Sequence, residues 1–125
     1  MTDSQLWQIA DETKEKAQSP YSNIKVGAAL MTEDGKVFTG VNVENSSFGA
    51  TICAERSAAV AAVSAGYRNF SKIAVSGTMQ SCTPCGICRQ FLSEFSKDMI
   101  VVYKNPDGIL CSKALNEFLP DSFIY

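Results

Sequence analysis

Three observations predict a three-layer α/β/α sandwich over a five-stranded mixed sheet. After residue 50, strand-like and helix-like patterns alternate, the arrangement that packs helices on both faces of a sheet. Before it, two short apolar runs flank Glu33-Asp34-Gly35, a hairpin signal that makes the sheet mixed and not purely parallel. The 125 residues, 46% hydrophobic and 19% charged, supply one core and leave no room for a second. A single catalytic-size domain over residues 1–125 is therefore expected.

The elements follow in order. Asp3 to Gln18 reads as an amphipathic helix, with Leu6, Ile9, Ala10, Thr13 and Ala17 near one face. Ser19-Pro20 stops it, because the residue before a proline avoids the α region. Lys25 to Met31 is a short buried strand. Lys36 to Glu44 alternates, with Val37, Val41 and Val43 on one side and Phe38, Asn42 and Glu44 on the other. Asn45 to Ala50 is a small, polar loop. Cys53 to Ala65 is alanine-rich and helical, with Gly66 as its stop. Lys72 to Ser76 is a third strand, and Gly77 to Thr83 a loop. Pro84 to Ser96 is a helix whose proline suits its first turn. Met99 to Tyr103 is a fourth strand. Asn105-Pro106-Asp107-Gly108 turns the chain into a fifth near Ile109 to Cys111. Ser112 to Leu119 reads as a last helix, ended by Pro120.

Composition removes several function classes. The net charge is −2 and Lys and Arg are scattered, so no basic face is offered to a nucleic acid. The N-terminal stretch lacks the charged and apolar regions of a signal peptide. No run approaches 18 apolar residues. A cytoplasmic setting with no membrane partner is the expectation. Five cysteines, an odd number, argue against a disulfide framework. There is no histidine, which excludes Ser-His, Cys-His and His-metal chemistry together. Carboxylates, thiolates, a metal or a cofactor must act instead.

Two segments carry that chemistry: Cys53-Ala54-Glu55-Arg56 and Pro84-Cys85-Gly86-Ile87-Cys88. Both put cysteine at a predicted helix start, where the helix dipole favours thiolate. Three thiolates make three corners of a tetrahedron, and an open fourth corner is the mark of a catalytic zinc site. Glu55, two residues past Cys53, can approach a water on that corner without ligating the metal. Arg56 can offset the surplus negative charge of three thiolates around one Zn²⁺. Other readings stand beside this one at this point. They are inert core cysteines, a redox CxxC pair, a non-catalytic zinc module, and an iron–sulfur carrier using Cys82, Cys85 and Cys88 with Cys53 or Cys111.

Over nearly its whole length the sequence resembles cytidine deaminase, the short homotetrameric zinc type. The resemblance runs through Tyr21-Ser22, Val26 to Leu30, Gly40 to Asn45, Thr51 to Ala58, Thr83 to Gln90, Leu119-Pro120 and Phe123. It implies a cytidine deaminase fold and one zinc ion per subunit on Cys53, Cys85 and Cys88. It implies hydrolytic attack at C4 of cytosine, with Glu55 moving the protons. The Ala54 backbone would contact the pyrimidine, and Asn42 and Glu44 would hold the ribose. Ser46, Phe48 and Phe123 would reach a neighbouring subunit's pocket in a homotetramer. Ile24 forms a pocket wall where the family usually has phenylalanine. Phe48 replaces the usual tyrosine, and Ser46 a small apolar residue. These departures bear on substrate preference, and the rival they leave is a deaminase of a modified cytosine nucleoside, blasticidin S or an N4-substituted cytidine. The Asn42-Val43-Glu44-Asn45 run favours ordinary ribose.

Overall fold

In the computed structural model, which describes residues 1–125, the chain opens on a helix with a chemically defined start. The Thr2 hydroxyl accepts from the Gln5 N–H and the Gln5 side chain accepts from the Thr2 N–H, a capping box that opens α1 (Asp3–Thr13). Sequence extends this helix to Gln18, but it ends at Thr13 and tightens into a 3-10 turn over Lys14–Lys16. The cause is tertiary. The Gln18 N–H donates to the Asn42 carbonyl and the Gln18 carbonyl accepts from the Glu44 N–H, so residue 18 is spent in a β-bridge.

The five strands are β1 (Val26–Thr32), β2 (Val37–Val41), β3 (Phe70–Gly77), β4 (Ile100–Lys104) and β5 (Leu110–Ala114). They lie in the order β2-β1-β3-β4-β5. Only β3 and β4 are parallel; the other three pairs are antiparallel. The expected hairpin joins β1 and β2. Side chains alternate across the sheet as the pleat requires. Ala29, Ala74 and Val102 pack against Leu6 and Ala10 of α1. On the other face Ala28, Leu30, Ile73, Val75 and Val101 meet Ala54, Ala58 and Ala62 of α2 (Ala54–Ser64) and Leu92 of α3 (Gly86–Ser93). The layers are therefore α/β/α, as the sequence predicts.

Several boundaries differ. β2 stops at Val41, so Asn42 and Glu44 lie just past its end and not on it. Between them Val43 bridges Ile52 and Gln18. α3 starts at Gly86 with Cys85 as its N-cap, which leaves Pro84 outside the first turn. The expected loop at 45–50 closes in a 3-10 turn, Phe48–Ala50. Residues 112–114 are strand, held opposite Val102, Val101 and Ile100 of β4, and α4 is only Leu115–Phe118. No helix is long and apolar enough to cross a membrane.

One glycine sets the height of α2 above the sheet. A Cβ on Gly40 of β2 would sit 2.3 Å from the Ala58 nitrogen and 2.5 Å from the Ala54 carbonyl oxygen. Both are helix backbone and cannot yield locally. Gly40→Ala is expected to lift the N-terminal half of α2 and destabilise the fold by about 1–3 kcal/mol. Thermal unfolding with metal content on the same sample checks it: the melting temperature falls and zinc retention falls with it.

Candidate active site

The N-termini of α2 and α3 converge, and each is capped by a cysteine. Cys53 is the N-cap of α2 and Cys85 that of α3, and neither side chain bonds the helix it caps. The sulfurs are thus free to face one another, with a helix dipole behind each. Cys88 follows in the first turn of α3 and is fully buried. All three Sγ atoms lie within 4.8 Å of one another, and Cys53 and Cys85 are 3.7 Å apart. A Zn–S bond of about 2.3 Å in a tetrahedron requires sulfurs about 3.8 Å apart. The residues present fit zinc.

Arg56 stands where the charge argument wants it. Its Nη2 donates to Cys53 Sγ at 3.5 Å, while its buried Nε has no hydrogen-bond partner. Without metal the trio shares its protons unevenly. The Cys88 thiol donates to Cys53 and, with Arg56 and Cys85 beside it, holds the Cys53 thiol down at about 5 against the opposing effect of burial. The same bond, then burial, pushes Cys88 up. Cys53 is the sulfur already poised as thiolate.

Glu55 is 3% exposed. Burial raises its carboxyl from the ordinary 4.5 to about 7, and the negative charge on Cys53 adds to the rise, while its own backbone and Arg56 oppose it. A carboxyl that changes protonation near neutrality suits a general acid–base role.

Glu55 opens onto a pocket of about 260 Å³ whose lining includes Cys53, Cys85, Ala54, Asn42, Glu44 and Ile24. Six sequence-predicted residues therefore meet there, together with Glu55. Asn42 and Glu44 have a task that sequence does not reveal. Asn42 Oδ1 accepts from the Val26 N–H at 2.9 Å and its Nδ2 donates to the Ile24 carbonyl at 2.8 Å. Glu44 accepts from the N–H groups of Tyr21 and Ser22, at 2.9 and 3.1 Å, and from the Ser22 hydroxyl. The Ser22 hydroxyl, first, holds the Glu44 carboxyl below its usual range. The two side chains shape the 20–26 segment that walls the pocket.

Ser46, Phe48 and Phe123 do not line this pocket. Ser46 is exposed; Phe48 is 70% exposed and packs edge-on against Tyr21; Phe123 is 71% exposed. Sequence reasoning gave no pocket role to Ser22, Val26, Thr51, Ile52, Met79 or Thr83, which also line it. Met79 had no local signal. It arrives because Val26 pairs with Gly77, and Thr78 and Lys25 exchange bonds, which brings Met79 opposite Ile24.

The rival cysteine readings lose ground on the same geometry. Cys82 is buried but stands outside the three-sulfur group, with its thiol pushed up to about 12 by burial. Cys111 lies on β5 with its thiol donating to the Ile109 carbonyl. No fourth cysteine or acid joins the group, as a cluster carrier or a structural zinc site would require.

Comparison with known proteins agrees. Residues 1–104 match the family model described as the cytidine and deoxycytidylate deaminase zinc-binding region. A cytidine deaminase of Sporosarcina psychrophila is 42% identical, over 90% of this chain and 84% of its own. The crystal structure of cytidine deaminase from Burkholderia pseudomallei superposes with a TM-score of 0.91 at 49% identity, covering 98% of this chain and 100% of that one. A blasticidin-S deaminase of Bacillus cereus is more distant, at 29% identity over 90% of this chain and 88% of its own. The three-cysteine cluster, the buried acid beside it and these likenesses place this chain in the cytidine and deoxycytidylate deaminase family.

Proposed function

We propose that this chain, acting as one catalytic domain over residues 1–125, hydrolyses cytidine and 2′-deoxycytidine to uridine or deoxyuridine and ammonia. The observation that carries this reading is Glu55. It is a buried carboxyl with a pKa of about 7, beside three converging cysteines, and it opens onto a pocket of about 260 Å³. Cys53, Cys85 and Cys88 would hold one zinc ion, which would supply a Lewis acid to make a water nucleophilic. Ionised Glu55 accepts the proton of the attacking water and hands it to N3 of cytosine. It then takes the second water proton, from the new C4 hydroxyl, and carries it to the 4-amino group; the C4–N bond breaks, C4=O forms and ammonia leaves. The Ala54 backbone meets the pyrimidine. Asn42 keeps one N–H and Glu44 an oxygen lone pair for the ribose hydroxyls. Arg56 draws charge from Cys53 so that the metal retains its acidifying power.

The exposed Ser46, Phe48 and Phe123 find their place in the pocket of a second copy within a homotetramer. We place the enzyme in the cytoplasm, in pyrimidine salvage. The higher identity to cytidine deaminases than to the blasticidin-S enzyme supports cytidine over a modified nucleoside. Loss of cytidine absorbance on incubation with purified protein, with zinc analysis of the same sample, tests the reading. Turnover of blasticidin S or an N4-substituted cytidine with cytidine left inert would overturn it.

A further inference from the structure

Two residues past Cys88, on the same helix, Gln90 has both ends of its amide engaged by one residue. Its Oε1 accepts from the Phe123 N–H at 3.0 Å and its Nε2 donates to the Phe123 carbonyl at 2.9 Å. A single hydrogen bond leaves the chain free to swivel about it. Two, to the N–H and carbonyl of one residue, fix the plane of that residue and so the direction of its side chain. Chain ends ordinarily fray unless something ties them down. Here the tie is made to backbone alone. The Phe123 ring stays 71% exposed, and Ile124 and Tyr125 beyond it are exposed as well. Holding the backbone while leaving the ring free does not bury the ring in its own chain; it aims it.

Arg89, next to Gln90, grips the segment from the other side. Its Nε donates to the Pro84 carbonyl at 2.6 Å and its Nη1 to the Phe118 carbonyl at 3.1 Å. The metal-bearing turn and the C-terminal segment are thus fastened to the same two residues of α3.

We infer that Gln90 is a positioning residue for Phe123: it presents the aromatic ring at a fixed place relative to the helix that carries Cys88. This rests on the reading that the ring completes the pocket of a second copy. It deepens that reading, because one helix then sets both its own metal ligand and its neighbour's pocket wall.

A double-mutant cycle on the zinc-loaded enzyme tests it, using Gln90→Leu, Phe123→Ala and the pair. Gln90→Leu removes both bonds and is expected to raise KM for cytidine about tenfold, with kcat within about twofold of the parent. It should also speed hydrogen exchange of the Phe123 amide and leave zinc content full. The double variant should be no worse than Phe123→Ala alone. Multiplying effects in the pair would overturn the inference and leave the role of Phe123 standing. An unchanged KM in Phe123→Ala would instead remove the shared-pocket reading, and the inference with it. Gln90→Glu, which keeps the acceptor for the Phe123 N–H and loses the donor, serves if the leucine variant folds poorly. It should fall between the parent and Phe123→Ala, and a parental KM with unprotected Phe123 amide would count against the inference.

Discussion

Glu55→Gln is expected to lower kcat by about 10³- to 10⁴-fold while zinc content and fold stay intact. Glutamine keeps the shape of the side chain and cannot accept or return a proton. No histidine exists to replace it, and no other titratable side chain lines the pocket except Glu44, Cys53 and Cys85. Steady-state kinetics beside metal analysis checks the claim, and substantial residual turnover would mean that the proton carrier lies elsewhere. The same variant carries a stability signature. The folded-state pKa of Glu55 is raised to about 7 from an ordinary 4.5. Between those values the folded chain holds a proton that the unfolded chain has lost, so this residue's contribution is full below about 4.5 and declines as pH rises to 7. Above that, the buried charge costs the fold on the order of 1–3 kcal/mol. Glutamine has nothing to ionise. At pH 8 the metal-free variant should melt above the metal-free parent, and the difference should vanish near pH 4.

Cys53→Ala is expected to weaken zinc binding by at least about 100-fold and to remove activity with the metal. It deletes one of the three clustered sulfurs, the one that Arg56 contacts at 3.5 Å. It also deletes the thiolate most readily formed, since Cys53 is held at about 5. Dialysis against a chelator followed by zinc measurement decides it, and a full, tightly held complement of zinc would remove Cys53 from the ligand set. Cys82→Ser provides the contrast. Cys82 sits three residues before Cys85 and is buried nearby, but outside the sulfur group, so its replacement should leave zinc content unchanged.

The contrast between Cys82 and Cys53 shows how much of the site can be read along the chain. Spacing alone makes Cys82, Cys85 and Cys88 a more regular set than Cys53, Cys85 and Cys88. What selects the second set is that Cys53 and Cys85 each cap a helix and the two helix starts meet. The helix starts themselves were readable from Cys53 and Pro84 onward, though α3 begins two residues later than its proline suggests. The strands were readable where burial on both faces leaves a continuous apolar run, as in β1 and β4. They failed at β5, where the exposed residues Ser112 and Lys113 carry no hydrophobic period and only pairing with β4 holds them extended.

The layers, the mixed sheet, the three clustered cysteines and the acid beside them are legible along the chain. Those depend on local signals: hydrophobic period, turn residues, and residue types with few chemical alternatives in a chain without histidine. Tertiary structure alone decided the shape of the pocket. Asn42 and Glu44 are spent largely on holding residues 20–26, Met79 arrives opposite Ile24 through strand register, and Gln90 fastens Phe123 from 33 positions away. None has a signal in its neighbours along the chain, because a hydrogen bond between distant residues leaves no period behind it.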